Sequence, residues 1–236
     1  MSRPPRAIVL AAGRGERMRP LTDTCPKPLL PVRGRPLIEW HLVALAAAGV
    51  REVVINAAWL EEQFPAVLGD GERFGQRLHY RFEGRDHGGA LETAGGIANA
   101  LPWLAPEGDD APFWVVSGDV FLPGFGFSPA DVAAFGARPG LLAELWLVPN
   151  APHHPRGDFG IDAQGLAVAD AAERYTWASV GLFRPSMFAG IPPGTRLPLR
   201  PRLDAAIAQR RLAARLWPGE WTDVGTPERL AALNAG

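Results

Sequence analysis

The sequence predicts an α/β protein with a doubly wound, mostly parallel sheet and added antiparallel strands in its second half. Up to about residue 117, short apolar runs alternate with segments of helical spacing, which is the pattern of βαβ units. The first apolar run ends in a glycine-rich turn, which is common after the first strand of such sheets. From about Leu141, strand-like segments follow one another with only turn residues between them. We therefore expect the pairing to change from parallel to antiparallel near the middle of the chain.

The elements of the first half follow from apolar runs and helical spacing. Residues 7–12 (AIVLAA) predict a buried strand, and the prolines at 20, 26, 28 and 31 keep the next stretch irregular. A helix then begins near Pro36 and stops at Gly49. Further strands are predicted at residues 53–56, 78–82 and 113–116, and further helices at residues 60–68 and 91–101.

The second half is predicted to contain four strands and two helices. The strands are expected at residues 142–148, 159–162, 166–169 and 176–183, because turn residues separate these apolar segments. Residues 149–156 (PNAPHHPR) are interpreted as a crossing between two lobes. The helices are expected near residues 199–210 and 227–235.

The composition excludes several classes of protein. With 47% hydrophobic and 21% charged residues among 236, the chain is not disordered, collagen-like or a coiled coil. A net charge of −1 gives no general attraction to nucleic acid or anionic membranes, and no apolar run approaches the ~20 residues of a membrane span. The single cysteine, Cys25, forms neither an internal disulfide nor a thiolate metal site. We expect a cytoplasmic protein without nucleic-acid or membrane partners.

A glycine-rich segment, residues 10–22 (LAAGRGERMRPLT), directly follows the first strand. Ligands of α/β sheets bind at this edge, and the backbone N–H groups around Gly13 and Gly15 can hold phosphate oxygens, with Arg14, Arg17 and Arg19 adding charge. Glycine content alone is equally consistent with an ordinary turn that carries solvated arginines. The segment therefore predicts a phosphate site only together with other features.

Two familiar glycine motifs do not fit this segment. A dinucleotide-binding fingerprint needs a third glycine where Met18 stands, a helix that Pro20 would interrupt, and an acid where Asn56 follows the second strand. A P-loop needs a second glycine followed directly by lysine and then serine or threonine, and Met18-Arg19-Pro20 stand at these positions after Gly13. An NAD(P)-dependent oxidoreductase is therefore disfavoured.

The only lysine in the chain is Lys27, since the other 23 basic residues are arginine. Lys27 lies between Pro26 and Pro28, which restrict its backbone and lower the entropy lost in presenting it. A lysine carries a compact charge on a thin stem, whereas arginine carries a planar fork. Although a lone loop lysine is often only a surface residue, this setting favours a phosphate contact.

Two aspartates follow predicted strands. Asp119 ends the segment SGD after an apolar strand, and Asp223 lies in WTDVGT before the last helix. Carboxylates at one sheet edge can hold a hard divalent cation, with phosphate oxygens and waters completing the coordination. Either aspartate alone could instead be a turn former or a helix cap, but together with the phosphate loop they favour a metal site.

Four segments occur in the order LAAGRGERMRPLT, PKPLLPV, SGD and WTDVGT. They resemble the glycine loop, lysine motif and two metal-aspartate motifs of the sugar-1-phosphate nucleotidylyltransferases. The resemblance spans essentially the whole chain and is greatest to the short N-acetylmuramate-1-phosphate uridylyltransferases of cell-wall recycling, through stretches such as ALETAGGI and HHPRGDFGI. It implies one Rossmann-like, glycosyltransferase-A-like domain over residues 1–236. The nucleotide-binding half would extend to about residue 125, and the sugar-binding half would cover about 126–236.

The resemblance also implies roles for individual residues. Arg17 and Lys27 would be catalytic through the phosphates, and Asp119 and Asp223 would hold Mg²⁺. The nucleotide would be bound by Ala11, Ala12, Gly13, Gly15, Arg17, Glu83, Thr93 and Gly95, and the sugar by Asp158, Gly160 and Trp177. His153 and His154 are expected to be loop residues near the sugar or solvent, because adjacent side chains diverge.

The implied reaction joins UTP and N-acetylmuramate-1-phosphate to give UDP-N-acetylmuramate and pyrophosphate, in peptidoglycan recycling. Alternatives are a mannose-1-phosphate guanylyltransferase, a glucose-1-phosphate thymidylyl- or uridylyltransferase, and a nucleotide-sugar sensor without activity. The sequence singles out no charged residue for the lactyl carboxylate of N-acetylmuramate. Apolar contacts alone discriminate by only ~10–200-fold, so we expect that modest preference over N-acetylglucosamine-1-phosphate.

Overall fold

The computed structural model describes residues 4–235. Its strands are β1 (Ala7–Ala11), β2 (Pro31–Val32), β3 (Arg35–Pro36), β4 (Glu52–Ala57), β5 (Arg77–Phe82), β6 (Phe113–Ser117), β7 (Val120–Phe121), β8 (Ala143–Val148), β9 (Gly160–Ile161), β10 (Ala167–Val168), β11 (Thr176–Phe183), β12 (Leu212–Leu216) and β13 (Thr222–Asp223). Its helices are α1 (Leu37–Ala47), α2 (Gln63–Leu68), α3 (Glu83–His87), α4 (Glu92–Leu104), α5 (Pro129–Gly136), α6 (Arg200–Ala208) and α7 (Pro227–Ala235).

Seven strands form one sheet in the order β12-β8-β11-β6-β1-β4-β5. Strands β6, β1, β4 and β5 are parallel, whereas β11 runs antiparallel to both β6 and β8. Strand β12 pairs parallel to β8. The predicted mostly parallel sheet with antiparallel strands in the second half is confirmed.

Helices cover both faces of this sheet, which makes it doubly wound. On one face, Ile38 and Leu42 of α1 pack in the same cluster as Val9 of β1. On the other, Ile97 of α4 packs with Ile8 of β1. Successive side chains of a strand point to opposite faces, so the all-apolar sequence of β1 follows from burial on both sides.

Several element bounds differ from the sequence prediction. The helix expected at residues 60–68 begins only at Gln63, because Leu60 has a positive φ of 46° that interrupts a regular helix. The helix expected at residues 91–101 runs on to Leu104 with Pro102 inside it. Helices α3 and α5 and strand β12 were not predicted. No helix among residues 4–235 is long and apolar enough to cross a membrane.

The strand order places a crevice at the carboxyl edge of the sheet, between β1 and its neighbour β6. Chain connections leave β1 toward β4 on one side, while β6 lies on the other side. Such a topological switch point is where α/β sheets bind ligands. The small pair β7 and β13 lies just beyond the end of β6, so it extends the rim of this crevice.

Candidate active site

A cavity of about 390 Å³ occupies the crevice, and we call it the central cavity. Its lining includes the end of β1 from Leu10 to Gly13, Ser117 at the end of β6, and Thr93 at the start of α4. Ala11, Ala12, Gly13 and Thr93 were all predicted to meet the nucleotide, and the structure brings them together in the lining of this cavity. The carboxyl edge is therefore the place where the predicted nucleotide residues converge.

The glycine loop is fixed from within by its own arginine. Arg14 donates hydrogen bonds to the Thr22 carbonyl at 2.8 Å and to the Asp23 carboxylate at 2.9 Å, and it stacks on Trp59 at 3.7 Å. The hydrogen bond from Arg14 is the main reason why the pKa of the Asp23 carboxyl group lies below its usual value. Gly15 has a φ of +69°, and a Cβ there would lie 3.0 Å from Thr22, so this turn requires glycine.

The exposed Arg17 borders a separate cleft of about 280 Å³, which we call the loop cleft. Gly15, Lys27 and Gly225 also border it. Lys27 lines both the loop cleft and the central cavity. Arg17 and Lys27 thus present two cations to the space beside the glycine loop, as a chain of phosphates would require.

Lys27 is buried, with only 11% of its side chain exposed, and its Nζ lies 2.6 Å from Asp119 Oδ2. A short 3₁₀ turn from Lys27 to Leu29, preceded by Pro26, sets its backbone. A buried ammonium needs a charged partner, and Asp119 supplies it. The only lysine and the first predicted metal ligand are therefore in direct contact.

The two predicted metal aspartates are brought together by a two-residue ladder. Asp223 of β13 pairs with Val120 of β7, and the Val224 N–H donates a hydrogen bond to the Asp119 carbonyl at 2.9 Å. Residues more than 100 positions apart thus lie side by side at the rim of the crevice.

Asp223 also contacts two basic side chains that sequence reasoning did not assign to the site. Arg229 of α7 donates to Asp223 Oδ2, and His153 Nε2 lies 2.8 Å from Asp223 Oδ1. Gly225 makes room for this group, because a Cβ there would lie 2.8 Å from Arg229. The only sequence feature that could have indicated this contact is the position of Arg229, six residues after Asp223 on the helix that follows.

The donor set fits a hard divalent cation that a substrate helps to coordinate. Asp223 Oδ1 is buried and makes no hydrogen bond of acceptable geometry within residues 4–235, despite the nearby His153. The same residues contain no group of three or more His, Cys, Asp or Glu side chains that could hold a metal ion by themselves. Two carboxylates with an unused oxygen match Mg²⁺ that takes its other ligands from phosphates and water.

A buried polar chain connects the glycine loop to α4. The Ala11 N–H donates to Asn56 Oδ1 at 3.1 Å, Asn56 Nδ2 donates to Glu83 Oε1 at 2.8 Å, and the Leu91 N–H donates to Glu83 Oε2 at 2.8 Å. Glu83 is completely buried, and this burial raises the pKa of its carboxyl group. Glu83, predicted near the base, does not line the central cavity, whereas its partner Asn56 does. Glu83 is thus linked to the cavity lining through Asn56.

Gly95 and Gly96 serve close packing. A Cβ on Gly95 would lie 2.1 Å from the Thr195 carbonyl oxygen, and the Gly95 N–H donates to the Leu197 carbonyl at 3.1 Å. A Cβ on Gly96 would lie 2.7 Å from Glu83 Oε1. Gly95, which was predicted to bind the nucleotide, is buried and is not part of the central-cavity lining.

A second cavity of about 240 Å³, the lateral cavity, adjoins the central cavity across Thr93 and Glu92. Asp158 and Trp177, both predicted to bind the sugar, line it. Asp158 Oδ2 accepts from the Trp177 backbone N–H at 2.8 Å, which ties these residues to each other.

Three other residues from the predicted sugar region do not line the lateral cavity. Gly160 lies outside the lining, because it is buried against Ala171, which a Cβ would meet at 2.2 Å. His154 Nε2 lies 3.2 Å from Asp158 Oδ1, while His153 turns to Asp223. The adjacent histidines therefore diverge, as predicted.

Glu92 forms the partition between the two cavities in an unusual backbone conformation. Its φ is +62°, in the left-handed region that disfavours side chains other than glycine. Its carboxylate accepts from Arg196 Nη2 at 3.1 Å. Neither residue was predicted, since nothing in the local sequence indicates a positive φ or a contact across 104 positions.

The fold and this site define a class of protein, and comparison with known proteins agrees. Residues 6–236 match the family model described as nucleotidyl transferase. The chain belongs to this family of sugar-1-phosphate nucleotidyltransferases.

Two relatives show how far the likeness extends. The chain is 47% identical, over 98% of its length and 97% of the relative's, to the N-acetylmuramate alpha-1-phosphate uridylyltransferase of Neisseria meningitidis serogroup B. It is 33% identical, over 100% and 98% of the two lengths, to the Caulobacter vibrioides protein of the same name. Among solved structures, a Bacillus anthracis protein described as a glucose-1-phosphate thymidylyltransferase superposes with a TM-score of 0.78 at 24% identity, covering 98% of this chain and 94% of that one. This last likeness shows the shared fold.

Proposed function

We propose that the protein transfers a uridylyl group from UTP to N-acetylmuramate α-1-phosphate, releasing pyrophosphate, as in peptidoglycan recycling. The observation that carries the proposal is the 47% identity to the Neisseria enzyme across nearly the full length of both chains. The grouping of Lys27, Asp119 and Asp223 at the crevice gives that likeness a chemical basis.

The proposed uridylyl transfer requires little general acid or general base catalysis. An oxygen of the sugar phosphate attacks the α-phosphorus of UTP, a P–O bond forms, and the bond to the bridging oxygen of the pyrophosphate breaks. A phosphate monoester has a second pKa of about 6, so the nucleophile is largely dianionic at neutral pH. The protein must therefore supply alignment and positive charge.

The cations at the crevice can meet this requirement. Lys27 Nζ is held at the junction of the central cavity and the loop cleft, where it can contact phosphates on either side. Arg17, which is exposed at the loop cleft, can hold the far phosphates that leave as pyrophosphate. The backbone of the glycine loop, kept in place by Arg14, lies beside both.

Asp119 and Asp223 would hold Mg²⁺, which when bound would neutralise phosphate charge and favour departure of pyrophosphate. Without it, the Lys27 ammonium and the Arg229 guanidinium compensate these carboxylates. With Mg²⁺ bound to Asp119, the Lys27 ammonium would be available to a phosphate instead.

The alternative functions, a guanylyltransferase and a sensor without activity, are less well supported. Relatives named mannose-1-phosphate guanylyltransferase match at about 30% identity over a larger protein, of which the matched region is 61%. A silent nucleotide-sugar sensor would have no need for the lysine and both aspartates, and this chain has all three in contact or side by side.

A panel assay of pyrophosphate release tests the proposal. Four nucleoside triphosphates are crossed with muramyl, glucosaminyl, glucosyl and mannosyl phosphates, with Mg²⁺ and with a chelator. We expect the highest kcat/KM for UTP with N-acetylmuramate-1-phosphate and no turnover with the chelator. A faster reaction of GTP with mannose-1-phosphate would replace the proposed substrates, and no turnover of any pair would favour the sensor.

A further inference from the structure

We propose that Arg200 binds the carboxylate of the lactyl ether on the sugar and thereby determines specificity for N-acetylmuramate. This inference rests on the proposed function. It replaces the expectation, drawn from the sequence, that apolar contacts alone discriminate between N-acetylmuramate and N-acetylglucosamine.

Arg200 lies where it can meet the sugar. It is the first residue of α6 and lines the lateral cavity together with Asp158 and Trp177. Among the described residues of that lining, Arg200 is the one with a cationic side chain. A carboxylate entering this cavity would meet no other positive charge on its walls.

The guanidinium of Arg200 is oriented in advance by two neighbours. It packs on the ring of Phe159, which is fully buried, with 4.9 Å between Cζ and the ring centroid. Its Nε donates to Asp204 Oδ1 at 2.7 Å, one turn further along α6. Both terminal nitrogens, Nη1 and Nη2, have no hydrogen-bond partner among residues 4–235. A fixed fork with two free donors is the geometry that binds a carboxylate through both oxygens.

The acidic residues of the lateral cavity do not compete for Arg200. Both oxygens of Asp158 have partners, His154 at 3.2 Å and the Trp177 N–H at 2.8 Å. The Glu92 carboxylate is paired with Arg196, which lines the central cavity instead. Asp204 compensates part of the charge of Arg200 through Nε, so it is the two terminal nitrogens that remain available to a ligand within the cavity.

The substrate supplies the matching group. N-acetylmuramate differs from N-acetylglucosamine by a lactic acid in ether linkage, which adds one methyl group and one carboxylate. The indole of Trp177 can pack against the apolar part of this addition, and the free edge of the Arg200 fork can bind the charged part. An aromatic surface and a cation in one small cavity therefore match both features that distinguish the two sugars.

The test measures kcat/KM for each combination of protein variant and sugar-phosphate acceptor. Wild type, Arg200→Gln and Arg200→Lys are assayed with UTP and three acceptors: N-acetylmuramate-1-phosphate, the methyl ester of its lactyl carboxylate, and N-acetylglucosamine-1-phosphate. Arg202→Gln is the matched control, because this neighbouring arginine on α6 contacts the Met187 and Ala189 carbonyls away from the lateral cavity. Thermal melting checks that each variant is folded.

We expect Arg200→Gln to lower kcat/KM for the free acid by ~10–100-fold, mainly through KM, because a hydrogen-bonded charge pair is lost. The ester and N-acetylglucosamine-1-phosphate should react as with wild type, and Arg200→Lys should recover part of the loss. Arg202→Gln should leave all three rates unchanged.

Failure of the inference can be distinguished from failure of the proposed function. An equal loss for all three acceptors, or no loss for the free acid, would show that Arg200 does not bind the carboxylate while the proposed reaction stands. If wild type used none of these acceptors but reacted with another sugar phosphate, both the proposed function and this inference would fall.

Discussion

At the scale of single residues, the site is organised as two carboxylates that each face a cation. Lys27 contacts Asp119, and Arg229 contacts Asp223. The first pair joins the glycine-loop side of the crevice to β7, and the second joins β13 to α7. Each cation therefore has a structural contact in addition to any contact with substrate, and substitutions must be designed to separate the two roles.

Replacement of Lys27 by arginine separates charge from shape. The guanidinium is larger than the ammonium and cannot place its charge at the same depth between Pro26 and Pro28. We expect Lys27→Arg to lose kcat by ~10²-fold, nearly as much as Lys27→Ala. The measurement is steady-state pyrophosphate release at saturating substrates. Turnover of the arginine variant at the parental rate would mean that only the positive charge matters.

Removal of Asp223 should abolish activity but not folding, because the pairing of β13 with β7 uses backbone groups. We expect Asp223→Ala to reduce kcat by at least ~10²-fold and to weaken Mg²⁺ binding measured by calorimetry. Glu220→Ala is the control, since Glu220 lies three residues earlier and pairs with Arg33 at the surface. Equal activity of the two variants would exclude Asp223 as a metal ligand.

Sequence motifs located the residues of the site that have distinctive neighbours, such as Lys27 between prolines. They could not locate Arg200, Glu92 or Arg229. The role of each depends on which distant segment it faces, and an arginine-rich sequence offers no way to choose among 23 arginines. The glycines show the complementary limit, because Gly95 was recognised as special while its role in packing became visible only in three dimensions.

At the scale of elements, strands buried on both faces were predicted well, because short apolar runs leave few alternatives. Strand β11 has the predicted bounds, Thr176–Phe183. Helices α3 and α5 lack such a pattern: Glu83 is the only buried residue of α3, and Phe135 is the only one of α5. Their conformation depends on neighbouring segments more than on an apolar face of their own.

The contact between α4 and residues 195–197 can be tested through Gly95. A methyl group there would collide with the Thr195 carbonyl, so Gly95→Ala should destabilise the protein by ~1–3 kcal/mol and raise KM for both substrates by moving Thr93. Gly136→Ala in α5 is the control, because a Cβ there meets nothing within 4 Å, and it should preserve or slightly increase stability. Urea unfolding measures both, and equal stability of the two variants would contradict the packing role.

At the scale of the whole molecule, the site depends on layers that meet at β7. Helix α1 packs beneath this strand, and its His41 is 2% exposed. Burial lowers the pKa of His41 to about 4, although the backbone of Val120 and the charge of Asp119 act in the opposite direction. The histidine is thus neutral in the folded protein at pH values where it is protonated in the unfolded chain.

This difference predicts how stability depends on pH. Because the pKa of His41 is lower in the folded state, the stability gained from keeping the histidine neutral is fully present above pH 6.5. It is lost as the pH falls toward 4. It amounts to roughly 3 kcal/mol at 1.36 kcal/mol per pH unit. We expect His41→Leu to flatten the decline in the free energy of unfolding between pH 6.5 and 4, measured by urea unfolding with a chelator. His87→Leu, at an exposed histidine, should keep the parental slope, and a parental slope in His41→Leu would contradict the assignment.

The burial of Lys27 beside Asp119 also makes the protein unusual toward amine-reactive reagents. Because no other side chain carries a primary amine, acylation of an ε-amino group can occur only at Lys27. Modification should be slow, since 11% of the side chain is exposed, and it should stop when nucleotide and Mg²⁺ are bound. Peptide mass spectrometry after timed acetylation, which separates modification of Lys27 from that of the α-amino group, would then report occupancy of the site, and we expect each molecule acetylated at Lys27 to be inactive.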